Sequence, residues 1–227
     1  MSGSNLVVRG RINNCNQAVD ISVSKGKVNA VRRKGRFTPE FGDDDSIIAP
    51  LLFDVQVNGG FGVDLQSTAI TVEDVHALNA TLLAQGVAQW IPTLVTDDIA
   101  ALEQKCRVLA NALDDPALAA HIPGIHLEGP HISPLDGPRG AHPAAFVIPP
   151  SMSVLNRLYR AVKGKIACIT LAPELPGAIS IISWLREQGV RVAMGHTAAS
   201  YETALAAVAA GADHATHAFN GMVPLHH

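Results

Sequence analysis

After Pro50 the chain switches six times between a short apolar run and a segment with helical periodicity, and this alternation restricts the fold more than any other feature. The runs "LLFDVQVN", "VAQWIPTLVT", "IPGIHLEG", "KIACITLAPE", "VRVAMGHT" and "ADHATHAFNG" are apolar nearly throughout, as strands covered on both faces must be. Between them, Val72, Val75, Leu78 and Leu82 fall on one helical face behind a Thr71 cap, and Ile99, Leu102, Cys106, Leu109 and Leu113 on another. The punctuation recurs. Gln85-Gly86-Val87, Gln188-Gly189-Val190 and Ala210-Gly211-Ala212 each close a helix and open a strand, with glycine taking the left-handed cap position. The pattern predicts an α/β domain with a parallel sheet covered by helices. A doubly wound sheet and a (β/α) barrel both satisfy it; the barrel normally needs eight units, and six are counted here.

Residues 1–49 read differently. "NLVVRGRI" alternates, "AVDISVSKGKVNAV" predicts a hairpin turning at Lys25-Gly26-Lys27, and "RRKGRFTPEFGDDD" is polar and glycine-containing. This is a small β unit, too short to hold a core alone. Two domains are therefore expected, residues 1–49 and 50–227. Hydrophobic residues make up 48% and charged residues 16%, a balance that excludes disorder. The net charge of -3 offers no basic footprint for nucleic acid. No apolar run reaches the roughly 18 residues of a membrane span, and "MSGSNLVVRGR" lacks the apolar centre of a signal peptide. Cys15, Cys106 and Cys168 are odd in number and far apart, so reduced thiols and a cytoplasmic location are expected.

In parallel α/β folds the reactive groups stand at the C-terminal ends of strands. Those ends carry, in order, Asp54 to Asn58, Thr93 to Thr96, Glu128, Glu174, His196-Thr197 and His217. Glu128, His196 and His217 are good ligands for a divalent metal, and one carboxylate with two imidazoles and an open fourth position is the donor set of a catalytic zinc. The alternative is that Glu128 pairs with Arg139 or Lys165 while the histidines cap their strands. His126, two residues before Glu128, shares its strand face. His214, three before His217, should face the other way as a core or structural histidine. Of the ten histidines, His226 and His227 fall at the very end. Gln56 stands where a histidine would supply a second metal position, so its amide argues for one metal. Asp54, Asp64 and Asp213 are not promoted to an acid/base role by spacing.

The same strand ends resemble, in order, those of the N-acetylglucosamine-6-phosphate deacetylases of the metal-dependent amidohydrolase superfamily. The likeness is carried by "PLLFDVQVNGGFGVD", "GIHLEGPHI", "RGAHP", "LAPE", "MGHTAASYE" and "THAFNGM". The resemblance implies a TIM-like (β/α)8 barrel, here about six of eight units, with part of a small β-sandwich at the N-terminus. It places one divalent metal, zinc in the first instance, on Glu128, His196 and His217. It assigns Ala141, His142, Asn220 and Gly221 to a phosphorylated amino-sugar substrate, with His142 polarising the acetyl carbonyl. The implied reaction is hydrolysis of the N-acetyl group to glucosamine 6-phosphate and acetate, in a homodimer. The family's acid/base aspartate belongs to an eighth strand beyond residue 227, so no catalytic acid/base is named and a truncated chain of low turnover is expected. A non-catalytic protein that holds metal or sugar phosphate, and an amidohydrolase acting on another acylated amine, are the alternatives.

Overall fold

The structure, a computed structural model, describes residues 6–12, 16–35 and 37–224. Cys15, His226 and His227 lie outside the described residues. The chain divides into two units, residues 1–51 and 52–227. In the first, β1 (Leu6–Ile12), β2 (Ala18–Ser24), β3 (Lys27–Arg33) and β4 (Ile47–Ile48) form one mixed sheet in the order β3-β2-β1-β4. β1, β2 and β3 pair antiparallel, and β4 lies parallel to β1. The predicted hairpin turns through Lys25 (φ 51°) and Gly26 (φ 73°), the two left-handed residues that a two-residue hairpin loop requires. The buried Asp20 accepts Arg9 Nε at 2.7 Å and, on its other oxygen, the Gly35 amide at 3.2 Å.

The second unit begins with β5 (Leu52–Val57) and a two-residue ribbon, β6 (Gly59–Gly60) and β7 (Val63–Asp64). Strands and helices then alternate: α1 (Val72–Ala84), β8 (Val87–Val95), α2 (Ile99–Ala112), the short α3 (Pro116–Ala119), β9 (Ile125–Glu128) and α4 (Met152–Ala161). β10 (Ile166–Leu171), α5 (Ala178–Glu187), β11 (Arg191–Met194), α6 (Tyr201–Ala210) and β12 (His214–Ala215) complete it. The six long-range strands are all parallel and lie side by side in chain order, β5-β8-β9-β10-β11-β12. A doubly wound sheet reverses direction partway, and this one never does, so the unit is a curled half-barrel.

Helix ends follow the local chemistry. Thr71 and Asp74 satisfy each other's backbone amides in a capping box, and Ser200 caps α6. The apolar face of α1 (Val75, Leu78, Leu82) and that of α2 (Leu102, Cys106, Leu109) are buried. Trp90 at the start of the core is wholly buried and donates its indole N–H to Asn79 Oδ1 at 3.0 Å. The concave face of the sheet lines an open cavity of about 600 Å³.

Two expectations fail at the last strand. "ADHATHAFNG" forms only the two-residue β12, because the chain leaves the extended region after Ala215. His214 is not a core residue either. It is exposed on the concave side, with Nδ1 2.8 Å from Asp213 Oδ1, and lines the same cavity as His217, since β12 ends at Ala215 and strand alternation does not carry from His214 through to His217.

Candidate metal centre

Glu128 is delivered by the best-supported strand of the sheet. All four residues of β9 are buried between β8 and β10. Gly129 follows with φ +88°, and a Cβ there would lie 2.2 Å from Thr96 Oγ1, so only glycine lets the chain leave the strand at this point. Glu128 is 2% exposed, and among the described residues no lysine or arginine pairs with it. Lys165 pairs with Asp114 at 2.7 Å and Arg139 with Asp136, which removes the alternative reading of the carboxylate. Its neighbours are instead His196 Nε2 and His217 Nε2, each 3.1 Å from Oε1, and Gln56 Nε2, which donates to Oε2 at 3.0 Å.

The two histidines are held in unusual backbone. His196 has φ 49° and His217 φ 52°, left-handed values that cost a residue with a side chain on the order of 1 kcal/mol or more and gather at functional sites. His196 Nδ1 donates to the Pro138 carbonyl at 3.0 Å. A carbonyl only accepts, so this nitrogen carries the proton, and in the neutral ring Nε2 is a bare lone pair aimed at Glu128. Gly140 and Gly221 each pass so near the ring that a Cβ would lie 3.3 Å from it. Glu174 fixes the next residues, accepting from Thr197 Oγ1 at 2.5 Å and the Ala198 amide at 2.7 Å.

One donor atom from each of Glu128, His196 and His217 lies within 4.8 Å of the others. Ligand atoms around a tetrahedral zinc with bonds near 2.0–2.1 Å stand about 3.3–3.4 Å apart, close to the two 3.1 Å separations. A carboxylate oxygen and an imidazole lone pair repel at that distance unless a cation or proton sits between them, so the donor set fits a metal. Burial alone would push the Glu128 carboxyl up. Where His196 carries a proton on Nε2 as well, its hydrogen bond to the carboxylate outweighs that and holds the carboxyl down at about 2. Burial dominates at His126 and His142, lowering both to about 4 and keeping them neutral near pH 7.

The other sequence candidates sit around this point. His142 is buried, its Nε2 3.2 Å from His196 Nε2 and its Nδ1 2.8 Å from Thr96 Oγ1. Ala141 is exposed beside it. Asn220 is exposed, its amide bonded to the His217 carbonyl at 2.6 Å, while the Gly221 carbonyl accepts from the Thr197 amide at 3.1 Å. His126 shares the concave face with Glu128, between Thr93 Oγ1 at 3.1 Å and Thr170 Oγ1 at 2.7 Å. Asp213 faces Arg186 and Arg191. The contacts of Thr96 Oγ1 and the Pro138 carbonyl with the two rings escape sequence reading: a backbone oxygen has no signature, and a threonine among several at a strand end stands out only once its partner is known.

No protein-family model matches the chain. It is 39% identical over 185 residues to the N-acetylglucosamine-6-phosphate deacetylase of Mus musculus, covering 80% of this chain and 44% of that protein. It is 34% identical over 184 residues to an N-acetylgalactosamine-6-phosphate deacetylase from Escherichia coli, covering 81% and 48%. Among solved structures, a substituted form of N-acetyl-D-glucosamine-6-phosphate deacetylase from Mycobacterium smegmatis, in complex with N-acetyl-D-glucosamine-6-phosphate, superposes with a TM-score of 0.86 at 28% identity. That match covers 99% of this chain and 58% of the other. The chain thus spans about half the length of the curated relatives it matches. The barrel order of the strands, the motifs at their ends and these relatives agree: the chain belongs to the N-acetylglucosamine-6-phosphate deacetylase family.

Proposed function

We propose that the protein serves metal-dependent hydrolysis of the N-acetyl group of N-acetyl-D-glucosamine 6-phosphate, giving D-glucosamine 6-phosphate and acetate. The observation that carries this reading is the convergence of His196 Nε2 and His217 Nε2 on one oxygen of a buried Glu128, with no cationic side chain paired to it among the described residues. A divalent ion held by these three residues, zinc in the first instance, would supply Lewis acidity and activate water for attack on an amide carbonyl. Gln56 occupies Glu128 Oε2, leaving Oε1 as the free donor. His142 is the candidate to polarise the acyl oxygen, and Ala141, Asn220 and Gly221 are the candidates to contact the sugar phosphate. The relative solved with N-acetyl-D-glucosamine-6-phosphate supports that substrate. The relative named as an N-acetylgalactosamine-6-phosphate deacetylase makes the epimer the nearest rival. A homodimer and a cytoplasmic location rest on the resemblance alone.

Glu128 is the single carboxylate of the cluster. An acid/base that moves the water proton to the leaving nitrogen contributes about 10²–10⁴-fold, and among the described residues no second carboxylate belongs to the cluster to do so. Metal binding with slow or undetectable turnover is therefore expected of the 227-residue chain. The deciding measurement is the metal content of the purified chain beside a His217→Ala variant, followed by acetate release from the glucosamine and galactosamine substrates. One tightly held ion in the parent and little in the variant is the expected result. A parent that holds no metal, or a variant that holds as much, would sink the assignment.

A further inference from the structure

The polar contacts behind His142 run in one direction, and that direction fixes which of its nitrogens faces the metal position. Pro138 supplies a carbonyl, which can only accept, so His196 Nδ1 bears hydrogen and the neutral ring leaves Nε2 bare. His142 Nε2 lies 3.2 Å from that bare nitrogen. Two lone pairs do not settle at this distance, so the hydrogen between them belongs to His142 Nε2. A neutral imidazole carries one N–H, which makes His142 Nδ1 an acceptor, and its partner at 2.8 Å is Thr96 Oγ1. The Thr96 hydroxyl has one other acceptor in reach, the Glu128 carbonyl at 3.4 Å, beyond the roughly 2.5–3.0 Å range of an O–H···O bond. The hydroxyl proton goes to His142.

We infer that Thr96 is a positioning residue that holds His142 as the Nε2–H tautomer, presenting a hydrogen-bond donor at the metal position where the other tautomer would present a further metal ligand. The inference rests on the metal centre proposed above. Once a metal takes the His196 lone pair, the His142 N–H loses its partner and is free for an acceptor entering the same opening, as the carbonyl oxygen of an amide would. The surroundings hold this geometry. Thr96 is 2% exposed, and Gly129 approaches it as no other residue could. Arg139 Nη1 donates to the His142 carbonyl at 2.8 Å and pins the loop that carries the ring.

The test uses the whole chain labelled with ¹⁵N histidine at pH 7, with and without zinc. His142 signals are identified by their loss in His142→Gln, and long-range ¹H–¹⁵N correlations report the tautomer. The parent and Thr96→Ser should both show Nε2–H, with Nδ1 at the position of a hydrogen-bonded acceptor. In Thr96→Val the Nδ1 resonance should move to that of a free acceptor. In Thr96→Asp, whose carboxylate can only accept, the proton should move to Nδ1. On zinc addition the His142 Nε2–H should persist in the parent. A parent found as Nδ1–H, a Val variant with an unmoved Nδ1 resonance, or loss of Nε2–H on zinc binding would each overturn the inference. Zinc stoichiometry is read on the same samples. A metal-free chain with the expected tautomer would fell the metal reading and leave the role of Thr96 standing.

Discussion

β9 and β12 present Glu128 and His217 to the same point from opposite conditions of support. β9 lies between two strands, buried along its whole length, and its Glu128 side chain is 3% exposed. β12 has two residues and an open edge, and the His217 side chain is 46% exposed. At the opposite edge, β5 exposes Leu52, Phe53 and Val55. The centre of the sheet therefore carries the energy of the fold, while the edges carry parts of the site with little packing of their own. A metal bound by Glu128, His196 and His217 would tie the weakest strand to the strongest, and its binding energy would appear as order at the edge.

The largest effect should separate the two regions by stability alone. Trp90→Ala empties a fully buried site in β8 and orphans Asn79 Oδ1, and should destabilise the second unit by about 3–5 kcal/mol. Phe53→Ala on β5, where the ring is 49% exposed, should cost well under about 2 kcal/mol. Denaturant midpoints of the two variants measure both. Equal losses would mean that the edge is covered in solution and that the contrast drawn between centre and edge is wrong.

The central polar layer should betray itself in acid. Burial lowers the His126 pKa from 6.5 to about 4 in the folded chain. Its neutral form is favoured by folding, so its stabilising contribution is whole above pH 6.5. That contribution falls as the unfolded chain takes up a proton first, and levels off below about pH 4. At ~1.4 kcal/mol per pKa unit the loss is up to about 3 kcal/mol. Stability measured at intervals from pH 8 to pH 4 should fall less steeply in His126→Gln than in the parent. Parallel curves would show that His126 is not the group responsible.

What the sequence revealed of this architecture follows the same division. The central strands and their helices were legible because burial on both faces imposes continuous apolar runs, and because Gly86, Gly189 and Gly211 take left-handed conformations at the helix ends. Glu128 was legible because a carboxylate ending an apolar run demands a partner. The edge was not. Nothing in "ADHATHAFNG" announces that regular pairing stops at Ala215, since strand propensity does not register the absence of a neighbour. The misplacement of His214 follows from that. Contacts made through backbone carbonyls, such as Pro138 to His196, depend on loop geometry that residue type does not encode.

Gln56 joins the edge to the centre and gives the smallest and most specific effect. It follows four exposed residues of β5, yet its side-chain amide donates to Glu128 Oε2 at 3.0 Å. This hydrogen bond stabilises the ionised carboxylate and leaves Oε1 toward the histidines. Gln56→Leu removes the donor with little change in volume. Loss of such an outer partner typically weakens metal binding by about 10–100-fold, and that reduction in zinc affinity is expected here, measured by competition with a chelating dye. Thermal stability of the metal-free chain should change little, because an edge residue contributes little packing. If zinc affinity holds while metal-free stability drops, the Gln56 contact supports the sheet edge and has no part in orienting Glu128. If affinity falls alone, the weakly packed edge strand tunes the ligand that the buried strand provides.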